Sequence, residues 1–247
     1  MSQYSPVSSY SDFERRTQQY HSNLNPGDTL AYGWIYKNIH ITKRFDLSKL
    51  EGMMLVVEGY LANWGGMRRW LLWNTEEGSA SSKDIAHNLL DVLENNRQKL
   101  KRLNELVLFK DLQNAENDLK EVFDSISRTE IKHKGKSYKL GVVGAGKLMH
   151  MLLPKLCIIW DNKYVLDKKF NSQRFPKTSD GYCMYLERKR EELNNVIRSA
   201  PSGFGQRASP NQIINKIEEQ HSRFLSNKGF KDIEEPITKL LDECNAE

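Results

Sequence analysis

Apolar residues recur at three- and four-residue spacing through most of this chain, the period of helices packed along one face. Leu50, Met53, Met54, Val57 and Leu61 predict a helix over 48–63, with Ser48 and Glu51 as a capping box and Gly65-Gly66 as the stop. Ile85, Leu89, Val92, Leu93, Leu100, Leu103 and Leu106 predict a second over 82–107. A third follows over 111–127, with Leu119, Val122, Phe123 and Ile126 inside. The same reading places helices at 162–170, 180–199, 210–226 and 236–244, and Ser209-Pro210 supplies a cap and a first-turn proline for the third of these. Residues 1–27 form a polar N-terminal segment with Pro6, Pro26 and Gly27, and one helix is expected there at 11–21. Alternation of the strand type is nearly absent. The fold class expected is therefore all-α, with the helical domain occupying 28–247.

Composition narrows the class without changing that picture. The chain has 247 residues, enough for one large domain or two small lobes around a real core. A mean hydropathy of −0.66 and 28% charged residues point to a very soluble protein. Residues 1–20 hold no apolar signal-peptide core, and the longest apolar stretch, Leu148–Trp160, is broken by His150, Pro154 and Lys155. A cytoplasmic protein without a membrane partner is the expectation. Cys157, Cys183 and Cys244 are far apart and the six histidines are scattered, so no protein-bound metal is expected.

Charge is unevenly spread. Residues 131–177 hold eleven Lys/Arg against Asp161 and Asp167, a window of +9, whereas the remaining residues carry 26 basic and 30 acidic groups. Lys132, Lys134, Lys136 and Lys139 form a basic loop at its start. Such a concentration suits a polyanion, of which nucleic acid is the commonest.

Inside that window lies Gly141-Val142-Val143-Gly144-Ala145-Gly146-Lys147-Leu148. It matches Gly-x-x-x-x-Gly-Lys, but Leu148 stands where a phosphate-binding loop needs a Ser/Thr hydroxyl for magnesium. The apolar run to Asp161 also begins too soon for a helix and a crossover to a second parallel strand. The other reading is a glycine hairpin: Val143-Gly144-Ala145-Gly146 turns the chain, and amide N–H groups at the next helix start bind a DNA phosphate. A short apolar helix and an apolar run then lead to Asp161.

On these residues the chain resembles the helix-hairpin-helix DNA glycosylase superfamily, whose pattern is hairpin, helix, apolar run and an essential Asp opening another helix. Gly144, Gly146 and Asp161 fall on those positions. The resemblance implies a helical glycosylase-like fold with the motif near 131–161, two lobes flanking a DNA cleft, a monomer on double-stranded DNA, and no cofactor. Its implied activity is flipping and excision of a damaged or modified base, in repair or in defence against phage DNA. The chain lacks the four-cysteine array of cluster-bearing members. Lys147 directly follows the last hairpin glycine, whereas the Schiff-base lysine of bifunctional members lies one residue further on, so a monofunctional enzyme is implied.

Excision needs a negative charge beside C1′ of the sugar. Asp161 fits that role, and equally fits a plain helix cap. Lys147 is either an amine nucleophile or a phosphate contact. Gly144, Ala145, Gly146, Lys132, Lys134, Lys136, Lys139, Lys163, Arg68 and Arg69 are the expected DNA contacts. Trp64, Asn63, His150, Trp160 and Tyr164 are the candidates for a pocket around a flipped base, or alternatively core residues. A non-catalytic DNA-binding module with the same hairpin is the second reading, and a nucleotidase the third.

Overall fold

The computed structural model describes residues 6–23, 26–64, 72, 76–110, 112–160, 175–205, 208–231 and 233–245, with the backbone alone at 26–29 and 63–64. It is mostly helical, with one small two-stranded sheet. The helices are α1 (Tyr10–Asn23), α2 (Pro26–Tyr36), α3 (Leu50–Met54), α4 (Ser82–Asn95), α5 (Arg97–Asn104), α6 (Glu116–Ser127), α7 (Gly141–Leu152), α8 (Ser179–Arg198), α9 (Pro210–Asn227) and α10 (Ile237–Glu243). α2 and α3 each run on into wider π-type turns, over Lys37–Ile41 and Leu55–Trp64.

Several helix starts follow from local chemistry. Ser209 and Gln212 close a capping box on α9, with Pro210 at the first helical position. Ser81 and Asp84 do the same for α4. The box expected from Ser48 and Glu51 does not form, because Asp46 captures Ser48 first: its Oδ1 accepts from the Ser48 N–H (2.9 Å) and hydroxyl (2.8 Å). The helix then begins at Leu50, behind Lys49. The helix expected over 82–107 is two helices. Asn96 breaks it by turning its own Nδ2 back to the Val92 carbonyl (2.8 Å), the competition with the backbone that Asn offers readily.

α6 and α7 pack side by side at the centre, with Leu119, Val122, Phe123 and Ile126 of α6 all buried as their spacing predicted. α8 covers them. The N-terminal segment is not peripheral: Val7, Tyr10 and Phe13 join the core, and α1 lies against α8 and α10.

The basic loop at 132–139 is a β-hairpin. β1 (Glu130–His133) pairs antiparallel with β2 (Lys136–Lys139), and Ile131 lies opposite Tyr138. Lys134 and Gly135 both have positive φ (49° and 72°), the two-residue turn whose twist matches paired strands. The hairpin is anchored through the Ala80 N–H to Lys132 O bond (2.8 Å) and the buried side chains of Ile131 and His133. Ile131 is the one apolar residue of β1, too little for a strand signal.

Candidate functional site

The glycine hairpin expected at 143–146 is absent. Val143, Gly144, Ala145 and Gly146 lie within α7, and the last three are buried. The turn into this helix is made earlier, at Gly141, whose φ of +78° only glycine adopts cheaply and whose surroundings are open. The later glycines permit close packing instead. A Cβ on Gly146 would sit 2.6 Å from the Trp160 Cβ, so this glycine lets the segment ahead of Asp161 press against α7. The Gly-x-x-x-x-Gly-Lys match is helical throughout, whereas a phosphate-wrapping loop must precede its helix. β2 is a hairpin strand rather than one of a parallel pair.

The N-terminus of α7 carries no side-chain cap. Its first amide N–H groups, from Gly141 to Gly144, are the ones a helix cannot pair internally, and they point toward any anion placed there. Immediately before it, Lys132, Lys136 and Lys139 are exposed on the hairpin, and no ion pair to them occurs among the described residues. Lys134, also exposed, is held by Glu76 (2.6 Å). The exposed cationic hairpin leads through Leu140 into the uncapped helix start.

Lys147 lies in α7 and is 4% exposed. It is thus withdrawn from solvent.

The segment from Leu153 to Trp160 is tied down carbonyl by carbonyl. Thr238 donates to Pro154 O, the Leu108 N–H to Lys155 O (3.0 Å), His150 Nδ1–H to Cys157 O (2.8 Å), Tyr182 to Ile158 O (2.9 Å) and Tyr185 to Ile159 O (3.4 Å). His150 is wholly buried, and its Nε2 accepts from the Tyr32 hydroxyl (2.7 Å). Burial pushes its imidazole down to about 3, aided by Lys239 and His40 and opposed by the bond to Cys157 O. The ring is therefore neutral, with the proton on Nδ1, and acts as a fixed staple.

Two of the residues expected around a flipped base thus belong to the core. Both nitrogens of His150 are spoken for. Trp160 is wholly buried, stacked on Tyr182 (5.2 Å between ring centres) and Tyr185 (6.4 Å) and tilted against Phe123 (5.7 Å). Asp161, Lys163, Tyr164, Arg68 and Arg69 lie outside the described residues, as do the side chains of Asn63 and Trp64. The expected helix at 162–170 and the Gly65-Gly66 stop lie outside them too.

Sequence reasoning missed a second gathering of chemistry. His21 at the end of α1, His221 of α9, Glu235 ahead of α10 and Glu243 at its end meet in a buried cluster. Separations of up to 222 positions in the chain leave no spacing signal by which to find them.

No family model, curated protein or solved structure matches the chain. No described helix is long and apolar enough to cross a membrane.

Proposed function

We propose that the chain is a DNA glycosylase, in which Asp161 supplies the carboxylate beside C1′ of the extruded nucleotide. The observation that carries this reading is the immobilised run into Asp161: five consecutive or near-consecutive carbonyls from Pro154 to Ile159 are each held by a donor from another part of the chain. A charge that must stabilise an oxocarbenium-like state works best when its support is rigid before substrate arrives.

The phosphate-binding role moves with the structure. The amides at the α7 start and Lys132, Lys136 and Lys139 would grip the backbone, in place of a turn at Gly144–Gly146. His150 and Trp160 would hold the segment that leads to Asp161 and leave the base to other side chains. Lys147, enclosed in α7, favours a monofunctional enzyme that releases the base by water attack. Damaged bases in repair, or modified bases of phage DNA in defence, are the substrate classes this reading admits.

The test is base release from a panel of damaged and phage-modified duplexes, read as strand breaks after alkali treatment, without added metal. Asp161→Asn keeps the size and any capping bond. It should cut excision by roughly two to three orders of magnitude, the worth of one electrostatic catalytic group, and leave DNA affinity equal or higher. Normal excision by that variant would remove Asp161 from the chemistry. DNA binding without release on any substrate would favour the non-catalytic DNA-binding module, a reading for which the cationic hairpin and uncapped helix start suffice.

A further inference from the structure

The cluster under α1 and α10 is built from four side chains on separate segments, and all four are shielded from solvent. The His21 and Glu235 side chains are each 1% exposed, Glu243 is 0% and His221 6%. His21 Nε2 stands 2.9 Å from Glu243 Oε2 and 3.2 Å from Glu235 Oε2, and His221 Nε2 is 3.1 Å from that same Glu235 oxygen. All four atoms lie within 4.8 Å of one another. Around an ion with bonds of about 2.0–2.1 Å, tetrahedral ligands are roughly 3.3–3.4 Å apart. The observed set needs only small side-chain adjustments to surround one.

Charge favours the same occupant. Glu235 and Glu243 place two carboxylates in a buried position, where charge is expensive unless it is paired, and Lys239 stands 2.8 Å from Glu243 and 3.9 Å from Asp242. A dication between the two carboxylates supplies compensating charge that a protonated imidazole must otherwise carry. Lys239 would then act as an outer partner, holding the Glu243 oxygen (Oε1) that faces away from the other three ligands.

We propose that His21, His221, Glu235 and Glu243 form a four-coordinate site for a divalent first-row transition ion of the zinc type. Two imidazoles and two carboxylates suit zinc, cobalt or manganese better than magnesium or calcium, which prefer all-oxygen shells. Four protein ligands and full burial leave no open position for water or substrate, so the ion is structural. It joins the end of α1 to α9 and α10. The site stands apart from the α7 region and does not depend on the proposed glycosylase activity.

The test uses the full-length chain, stripped with a chelator and titrated with cobalt(II) alone. One cobalt per chain should bind, with the strong visible bands of a four-coordinate ion, and zinc should displace it. The melting temperature should rise by several degrees with either metal. His21→Gln and His221→Gln should each abolish the bands. The wild-type titration stands by itself should those variants fold poorly. No binding at micromolar metal, the weak spectrum of a six-coordinate ion, or binding that survives both substitutions would overturn the proposal and leave a metal-free ion-pair network.

Discussion

Gly146→Ala tests whether the close approach of Trp160 to α7 is real. In an ordinary helix interior this change stabilises by about 1 kcal/mol, since alanine is the better helix former. Here the added methyl would lie 2.6 Å from the Trp160 Cβ and 3.3 Å from its backbone nitrogen. The first distance is roughly 0.8 Å short of ordinary contact, where ordinary contact begins at 3.4 Å. Neither atom can rotate aside, because a Cβ and an amide nitrogen move only with the backbone. That backbone is held by the carbonyl bonds from Tyr182 and Tyr185, and the indole is clamped in its aromatic stack. Overpacking of this kind costs about 1–3 kcal/mol, and a site so restrained belongs at the upper end. After the helix gain is subtracted, a net loss of about 1–2 kcal/mol remains. In a chain of this size that lowers the melting temperature by roughly 2–8 °C. Thermal and urea denaturation of both proteins measure it. A variant more stable than the parent by about 1 kcal/mol would refute the close approach. On a substrate that the parent excises, Gly146→Ala should also slow base release, since the segment that precedes Asp161 must shift.

Three other outcomes follow from particular groups. Replacing Lys132, Lys136 and Lys139 with Gln should flatten the slope of log affinity against log salt by about 0.9 for each phosphate that is no longer neutralised, and an unchanged slope would mean that the hairpin does not touch DNA. Borohydride should trap no protein–DNA adduct during base release, since Lys147 is enclosed; an adduct abolished by Lys147→Ala would reverse that assignment. Burial raises the Glu218 carboxyl from its ordinary 4.5 to about 7, against the bond it accepts from the Ile237 N–H (2.8 Å). Because the folded value lies above the unfolded one, the stabilisation is complete below about pH 4.5 and is lost as pH rises to 7, by about 3 kcal/mol in total. Glu218→Gln keeps an acceptor and should restore most of that stability at about pH 8; equal stability of the two proteins there would contradict the buried carboxyl.

Much of the helical frame was legible because it depends on local spacing. The stripe from Leu119 to Ile126 and the Ser209-Pro210 start are short-range signals, and both appear where the sequence puts them. Failures came where a neighbour outbid the local preference. Asp46 took Ser48 from its capping role, and Asn96 cut a helix whose apolar stripe runs straight through it. The glycines of α7 misled for a different reason. A glycine serves a turn and a close helix contact equally well, and only the position of Trp160 distinguishes the two. For the candidate site, the cationic window and its lysines were legible as composition. The burial of His150, Trp160 and Lys147 was not, because their partners come from α2, α6 and α8 or from packing that no spacing records. The His21–Glu243 cluster is the extreme case of the same limit.

The contacts of α1 also set an order of events during synthesis. The Tyr10 N–H is held by Ser199 Oγ (2.8 Å), its hydroxyl by Gln220 (2.7 Å), and His21 by Glu243 (2.9 Å). α1 therefore finds these partners only after nearly all of the chain between them has been translated. Until then its apolar face, with Phe13 and Tyr10, has nothing to bury against on the ribosome. Closing so long a loop is slow, and exposed apolar surface during that wait invites aggregation or chaperone capture. Ribosome-bound chains arrested before residue 237 should accordingly leave α1 open to protease, and chains extended past residue 243 and clear of the exit tunnel should protect it.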